Sequence, residues 1–225
     1  MAEPRLARSN IPYEVLTPSF RLWPDCVAAT PSLAYDAFLA RAQAAKTGER
    51  TTMDSKGDAS GAMSPTLDDE AFLRRAFAAA RRSREGGDHP FGAILVGPDG
   101  GILREQGNGY TSEGGDMTAH AERLLATWAS KTLGSAFLQG CTLYSSAEPC
   151  AMCSGAIYWA GIGRLVYGQS EKSLKAATGS HSENPTLDLP CRDVFAAGQR
   201  AVDVVGPLLA DEAAALQRDF WAERA

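Results

Sequence analysis

From residue 67 onward the apolar positions fall into short, regular runs. LDDEAFLRRAFAAARRSREGG carries acidic residues in its first turn, apolar Phe72, Ala76, Ala79 and Ala80 at helical spacing, and a Gly-Gly stop, which predicts a helix. FGAILV (91–96), the GPDGG turn and ILREQGNGY (102–110) predict a β-hairpin. MTAHAERLLATWASK (117–131) predicts a second helix with Asp116 or Thr118 as N-cap. CTLYSS (141–146) reads as a third strand, PCAMCSGAIYWAG (149–161) as a third helix with proline in its opening turn, and RLVYG (164–168) as a fourth strand. A helix within 171–200 would make AVDVVG (201–206) parallel to the fourth strand, because a parallel return needs a long crossover. LLADEAAALQRDFWAER then closes the chain as a helix. The expected fold is a three-layer α/β/α sandwich around a mixed five-stranded sheet.

The first 66 residues break this regularity. Prolines stand at 4, 12, 18, 24 and 31, one helix is expected over PSLAYDAFLARAQAAK (31–46), and TGERTTMDSKGDASGAMSPT has the composition of a linker. The domain boundary is therefore placed near Pro65, with an N-terminal extension over 1–66 and the folded domain over 67–225. No run approaches the roughly 18 consecutive apolar residues of a membrane span, and the opening residues lack a secretory pattern, so a soluble, cytoplasmic protein is expected. The formal charge of −5 would repel a phosphate backbone. The arginines of RRAFAAARRSR, from Arg74 to Arg84, read as the wet face of the first helix, and nucleic acid is not an expected partner.

Five cysteines, two of them three residues apart, suit a metal site better than a disulfide framework. Cys26, Cys141 and Cys191 read as ordinary buried thiols. Cys150 and Cys153 at a helix start share one face, and the partial positive charge of a helix N-terminus favours the thiolates that zinc requires. His120, near the start of the preceding helix, supplies a third donor. No fourth ligand stands at a usual spacing, since His89 and His181 fall in loop-like stretches. A structural zinc site is closed by four protein ligands, whereas a catalytic one leaves a position to water. Glu122, about 200° around a helix from His120, cannot take the histidine's place and would instead flank the open position as a proton carrier.

Histidine, one residue, glutamate, then Pro-Cys-x-x-Cys resembles the signature of zinc-dependent nucleobase deaminases. The likeness extends through HPFGAILVGPDGGILREQGNGY, TAHAERLLATWA, CTLYSSAEPCAMCSGAIYWAGIGRLVYG and DEAAALQRDFW, from about Leu67 to the end. Within the cytidine-deaminase-like superfamily, GAIYWAGIGRLVYG looks most like the branch of guanine deaminases, tRNA adenosine deaminases and yeast-type cytosine deaminases. The resemblance implies one Zn2+ per subunit on His120, Cys150 and Cys153, with Glu122 as proton shuttle. It implies that Asn108 hydrogen-bonds the base or its sugar, that the Ala121 N–H meets a ring carbonyl, and that Phe91 covers the base. Asn108 also reads as a turn residue between glycines, and Phe91 also as core. Trp159, some 180° around its helix from Cys150, should face away from its own zinc; since such helices pair subunits in this branch, the resemblance implies a homodimer with Trp159 as an interface or core residue, a neighbour's active site being a further place for it.

Guanine or a related aminated purine, as free base or nucleoside, is the favoured substrate. Cytosine or another pyrimidine, an aminated triazine, and a tRNA adenosine are the alternatives. Against tRNA stand four acidic and two basic side chains in the last twenty residues. The segment 171–194 lacks the Phe-Asp-Asp stretch of guanine deaminases, which leaves Glu183, Asp188 or Cys191 to read the far edge of the substrate. A structural zinc knuckle and an inactive, deaminase-like binding protein are the rival readings outside catalysis.

Overall fold

A computed structural model of the 225-residue chain describes residues 67–179, 181–218 and 220–224. The helix expected over 31–46, Cys26 and the boundary near Pro65 lie outside the described residues. The elements are α1 (Asp69–Glu85), β1 (Gly92–Val96), β2 (Ile102–Gly107), α2 (Ala121–Thr132), a short α3 (Ser135–Leu138), β3 (Thr142–Ala147), α4 (Ala151–Ala160), β4 (Arg164–Gln169), α5 (Glu171–Thr178), α6 (Cys191–Ala196), β5 (Asp203–Val205) and α7 (Ala210–Gln217). A 3-10 turn over Ala222–Arg224 follows. The strand order is β2-β1-β3-β4-β5; β1 runs antiparallel to β2 and β3, while β3, β4 and β5 are mutually parallel. This is the mixed five-stranded sheet expected from the sequence, and α5 and α6 form the crossover that makes β5 parallel.

Side-chain alternation along each strand divides the interior in two. On one face Ile94, Val96, Tyr144 and Val166 pack with Leu73, Ala76, Phe77 and Ala80 of α1 and with Ala213 and Leu216 of α7. The residues between them, Ala93, Leu95, Leu143, Ser145 and Leu165, are equally buried and face α2 and α4, whose Leu125, Ala126, Ala129, Cys153 and Ile157 are also buried. Full burial of each large apolar side chain contributes about 1.5–3 kcal/mol. Phe72, expected in the apolar stripe of α1, lies at its edge and tilts against Tyr144, with centroids 5.1 Å apart. The arginines of α1 lie on the outer face as expected and are met by acids: Arg74 by Glu70 and Glu212, Arg75 and Arg82 by Glu105.

Asp69 at the start of α1 ties this layer to the sheet. It accepts hydrogen bonds from the two terminal guanidinium nitrogens of Arg164 at 2.8 Å each and from the Tyr144 hydroxyl at 2.8 Å. Arg164, first among the causes, holds the Asp69 carboxyl below its usual range against the effect of burial.

Several boundaries differ from the sequence reading, each for a local reason. β2 stops at Gly107 because Asn108 turns the chain, its Oδ1 accepting the Tyr110 N–H at 2.8 Å. α2 begins at Ala121 with His120 as N-cap; Asp116 instead accepts the N–H and hydroxyl of Thr118 in the preceding turn. The segment 171–200 forms two short helices, since Gly179 ends the first and Pro185 and Pro190 delay the second. The last helix stops at Gln217, where the chain turns inward and buries Phe220 and Trp221. Burial of two large aromatic side chains outweighs the few hydrogen bonds of a longer helix.

Gly92 marks the closest approach of α1 to the sheet. A Cβ there would stand 2.3 Å from the backbone nitrogen of Ala80 and 2.6 Å from the carbonyl oxygen of Ala76. Gly92→Ala must push α1 away, and an overpacking cost of about 1–3 kcal/mol or more is expected. Thermal unfolding of the variant checks this; an unchanged Tm would contradict the packing described.

Candidate metal centre and its surroundings

Two helix starts converge on one point. His120 is the N-cap of α2 and Cys150 the N-cap of α4, both with extended backbone, and neither side chain caps its own helix. Ser, Thr, Asp or Asn at such positions would accept a helix N–H and contribute about 1 kcal/mol; here the side chains turn to each other. His120 Nδ1 lies 3.7 Å from Cys150 Sγ and 3.6 Å from Cys153 Sγ, and the three donor atoms lie within 4.8 Å of one another. Cys153 follows one turn into α4 and is fully buried.

This donor set fits zinc. Zn–S bonds of about 2.3 Å and Zn–N bonds of about 2.0–2.1 Å at tetrahedral angles separate the donors by roughly 3.5–3.8 Å, which matches the observed spacing. Among the described residues no fourth His, Cys, Asp or Glu joins the group. Cys141 and Cys191 are buried thiols as expected, both pushed up by burial. The site electrostatics favour a cation. The Cys150 thiol is pulled down to about 4, first by its hydrogen bond with Cys153 and, against burial, by His120. Cys153, bonded to that thiolate and deeply buried, is held well above its usual value. Burial opposes charge on His120, but Cys150 and Glu122 outweigh it and raise its pKa. Zinc requires these donors in their deprotonated forms, so metal binding must displace the protons they carry.

Glu122 sits in the first turn of α2, 5% exposed, and Ser145 Oγ donates to its Oε1 at 2.7 Å. Burial, the largest cause, pushes its pKa up against the opposing influence of His120 and Ser145. Ser145 comes from the same sheet face as Ala93, its partner on β1. The sequence reading did not single it out, and period-two alternation in CTLYSS is the only signal that could have found it.

The other candidates divide. Ala121 is fully buried, and as the first residue of α2 its N–H has no intrahelical acceptor. Asn108 is 2% exposed; its Oδ1 fixes the turn to Tyr110, and its Nδ2 has no hydrogen-bond partner among the described residues. Phe91 is half-buried, its ring centroid 6.1 Å from that of Trp221. Of the three residues considered for the far edge, Asp188 is exposed and paired with Lys175, and Cys191 is buried with its N–H on Glu148 Oε1. Glu183 alone joins a larger cluster, accepting Arg224 NH1 at 3.3 Å and lying 3.2 Å from His89 Nε2.

That cluster was not legible beforehand. His89 and His181 do lie in loops, but His89 is buried and stacked on Tyr110 at 4.4 Å, with Trp221 at 5.2 Å. His181 meets the other side of the group, 5.1 Å from Trp221. Burial lowers the His89 pKa despite the opposing influence of Glu183. The C-terminal turn is locked to the loop before β1: Gln217 Nε2 donates to the Pro90 carbonyl at 2.8 Å, Trp221 Nε1 donates to Gln217 Oε1 at 2.9 Å, and Arg224 NH2 donates to the Gly87 carbonyl at 3.2 Å.

Residues 66–169 match the family model described as the cytidine and deoxycytidylate deaminase zinc-binding region. The chain is 40% identical over 153 residues to a probable cytosine deaminase of Schizosaccharomyces pombe, an alignment covering 68% of this chain and 92% of that protein. It belongs to the cytidine and deoxycytidylate deaminase family. The chain is thus a zinc-dependent deaminase, a hydrolase, built on the cytidine-deaminase-like fold. It is also 46% identical to the Bacillus subtilis guanine deaminase over 95 residues, 42% of this chain and 60% of that protein. The solved structure of the guanine deaminase from Nitrosomonas europaea superposes with a TM-score of 0.58 at 25% identity, covering 76% of this chain and all of that one.

Substitution separates the donors from the acid-base group. Glu122→Gln is expected to keep its zinc, to melt no lower than the unsubstituted deaminase because a buried carboxyl is removed, and to lose about 10²–10⁴-fold in deamination rate. His120→Ala is expected to lose the metal itself. Zinc analysis of both purified variants checks this, and metal loss in Glu122→Gln would contradict the division of roles.

Proposed function

We propose that this deaminase hydrolyses the exocyclic amine of a small free base or nucleoside, with guanine or a related aminated purine first, releasing ammonia. The observation that carries the reading is the aromatic wall formed by Phe91, His89, Tyr110 and Trp221, which the chain's own C-terminal turn fastens in place. Aromatic side chains of this kind suit stacking on a flat heterocycle. The net charge of −5 and the pairing of Arg74, Arg75 and Arg82 with acids also weigh against a nucleic-acid partner.

Zinc held by His120, Cys150 and Cys153 would lower the pKa of water at the site to about 7. Glu122 takes one proton from that water and delivers it to a ring nitrogen as the C–O bond forms, then carries the second proton, from the new hydroxyl, to the departing amine as the C–N bond breaks, so that water and the aminated ring become a carbonyl and ammonia. Its raised pKa suits a carboxyl that must hold a proton between these steps. Ser145 fixes the carboxyl through Oε1. The Ala121 N–H and Asn108 Nδ2 donate to ring or sugar acceptors, Phe91 stacks on the base, and Glu183, oriented by His89 and Arg224, reads the far edge.

A cytosine or pyrimidine substrate is the second reading, favoured by the 40% identity that extends over 92% of the probable cytosine deaminase. The protein is proposed to work in the cytoplasm; no helix among the described residues is long and apolar enough to cross a membrane. A homodimer is proposed from α4, where Trp159 is 84% exposed and shares a face with the exposed Met152. Ammonia release by the zinc-loaded full chain on guanine, adenine, cytosine, isoguanine, their nucleosides and aminated triazines tests the substrate. Guanine is expected to give the highest kcat/KM. Silence on all of these with turnover of a tRNA anticodon stem would overturn the small-molecule reading.

A further inference from the structure

The carboxyl ends of the parallel strands β3 and β4 lie side by side, Ala147 paired with Gln169, and the crevice outside such ends is where open α/β sheets take their ligands. The chain leaves β3 through Glu148 toward Cys150 and leaves β4 through Ser170 into α5. These departures are tied together. The Glu148 N–H donates to the Gln169 carbonyl at 2.7 Å, and the Glu171 N–H donates to Glu148 Oε2 at 3.0 Å. The second oxygen of Glu148 accepts the Cys191 N–H at 3.0 Å, so one carboxylate holds the first residues of both α5 and α6. Glu171 is thereby seated against a residue two positions before Cys150.

The Glu171 side chain is 5% exposed, and no hydrogen bond reaches its carboxyl among the described residues. The other buried carboxyls nearby are satisfied: Glu122 by Ser145, Glu148 by two N–H groups, Asp88 by the N–H groups of Thr111 and Ser112. Burying a carboxyl without a partner destabilises a fold, and native interiors avoid it. Among the described residues the carboxyl is left open to a partner from outside the protein, and a bound molecule with a polar edge would supply one. Burial, first of all, pushes the Glu171 carboxyl up to about 8, and the charges of Cys150, Glu148 and Glu122 add to this against the opposing influence of His120.

We propose that Glu171 is a specificity-determining residue whose carboxyl hydrogen-bonds the polar edge of the bound substrate, on the heterocycle or on an attached sugar, with Glu148 as the residue that positions it. The inference rests on the deaminase reading above, but not on guanine being the substrate. Glu171→Ala, Glu171→Gln and Glu148→Gln are compared with the unsubstituted zinc-loaded full chain. The readouts are kcat and KM on the bases and nucleosides named above, zinc content and Tm.

Glu171→Ala is expected to keep its zinc and an equal or higher Tm while losing about 10–100-fold in kcat/KM on the preferred substrate, the range for one lost hydrogen bond to a polar or charged group. The ratio of kcat/KM between preferred and next substrate should shift by about tenfold, and Glu171→Gln, which keeps a donor and an acceptor, should recover part of it. Glu148→Gln should move the same ratio in the same direction. A loss confined to nucleosides assigns the contact to the sugar; a loss shared by bases assigns it to the ring. Unchanged ratios in Glu171→Ala with a raised Tm, or zinc loss with a lowered Tm, would overturn the proposal. A preference of the unsubstituted chain for cytosine changes the substrate and leaves the Glu171 ratios decisive, whereas its silence on the whole panel ends both readings.

Discussion

Two helices begin without side-chain caps at the same place, and their N-cap residues are a histidine and a cysteine. The surrounding architecture makes sense as the means of holding that arrangement. The N–H groups at a helix start favour negative charge nearby, so the start of α4 supports a thiolate at Cys150. Capping energy at both helices is given up in the process, and the sheet must make up the difference. It does so through two fully buried faces, with α1 pressed against Gly92 on one and α2 and α4 against Ala93, Leu143 and Leu165 on the other.

Around the donor trio, polar groups occur in fixed pairs. Ser145 holds Glu122, and Glu148 holds the N–H groups of Glu171 and Cys191. The second pairing matters because it links the cysteine loop to the segment 171–194, the part of the chain where substrate preference is expected to vary. A change in how α5 and α6 sit is thereby transmitted to the residue two positions before Cys150. On the far side, the C-terminal turn reaches back to the loop before β1, and the aromatic group of His89, Tyr110 and Trp221 depends on that closure. Loss of the last few residues would unfasten this group while leaving the donors in place.

The metal donors were legible because few residue types can do their work and because both cysteines and the histidine stand near predicted helix starts. The sheet was legible because its strands are short, continuous apolar runs separated by glycine and proline. Asn108 serves the turn through its Oδ1, which bears out the turn reading, while its contact with a base or sugar stands as a proposal. Ser145, Glu148 and Glu171 were passed over because their significance lies in pairings with other segments. The clearest case is Gln217, whose bond to Pro90 spans 127 residues and leaves no trace in local pattern. The inward turn at Phe220 escaped notice for a related reason. DEAAALQRDFW carries a helical pattern, and the burial of Phe220 and Trp221 beside His89 leaves no mark in it.

Zinc K-edge X-ray absorption on the purified full chain tests the central claim most directly, because it reports the donor atoms without reference to any substrate. The account predicts zinc bound to two sulfur atoms at about 2.3 Å, with the remaining donors nitrogen or oxygen, one of them from water. A shell of three or four sulfur atoms, a fourth protein ligand closing the site, or no zinc in carefully prepared protein would contradict it.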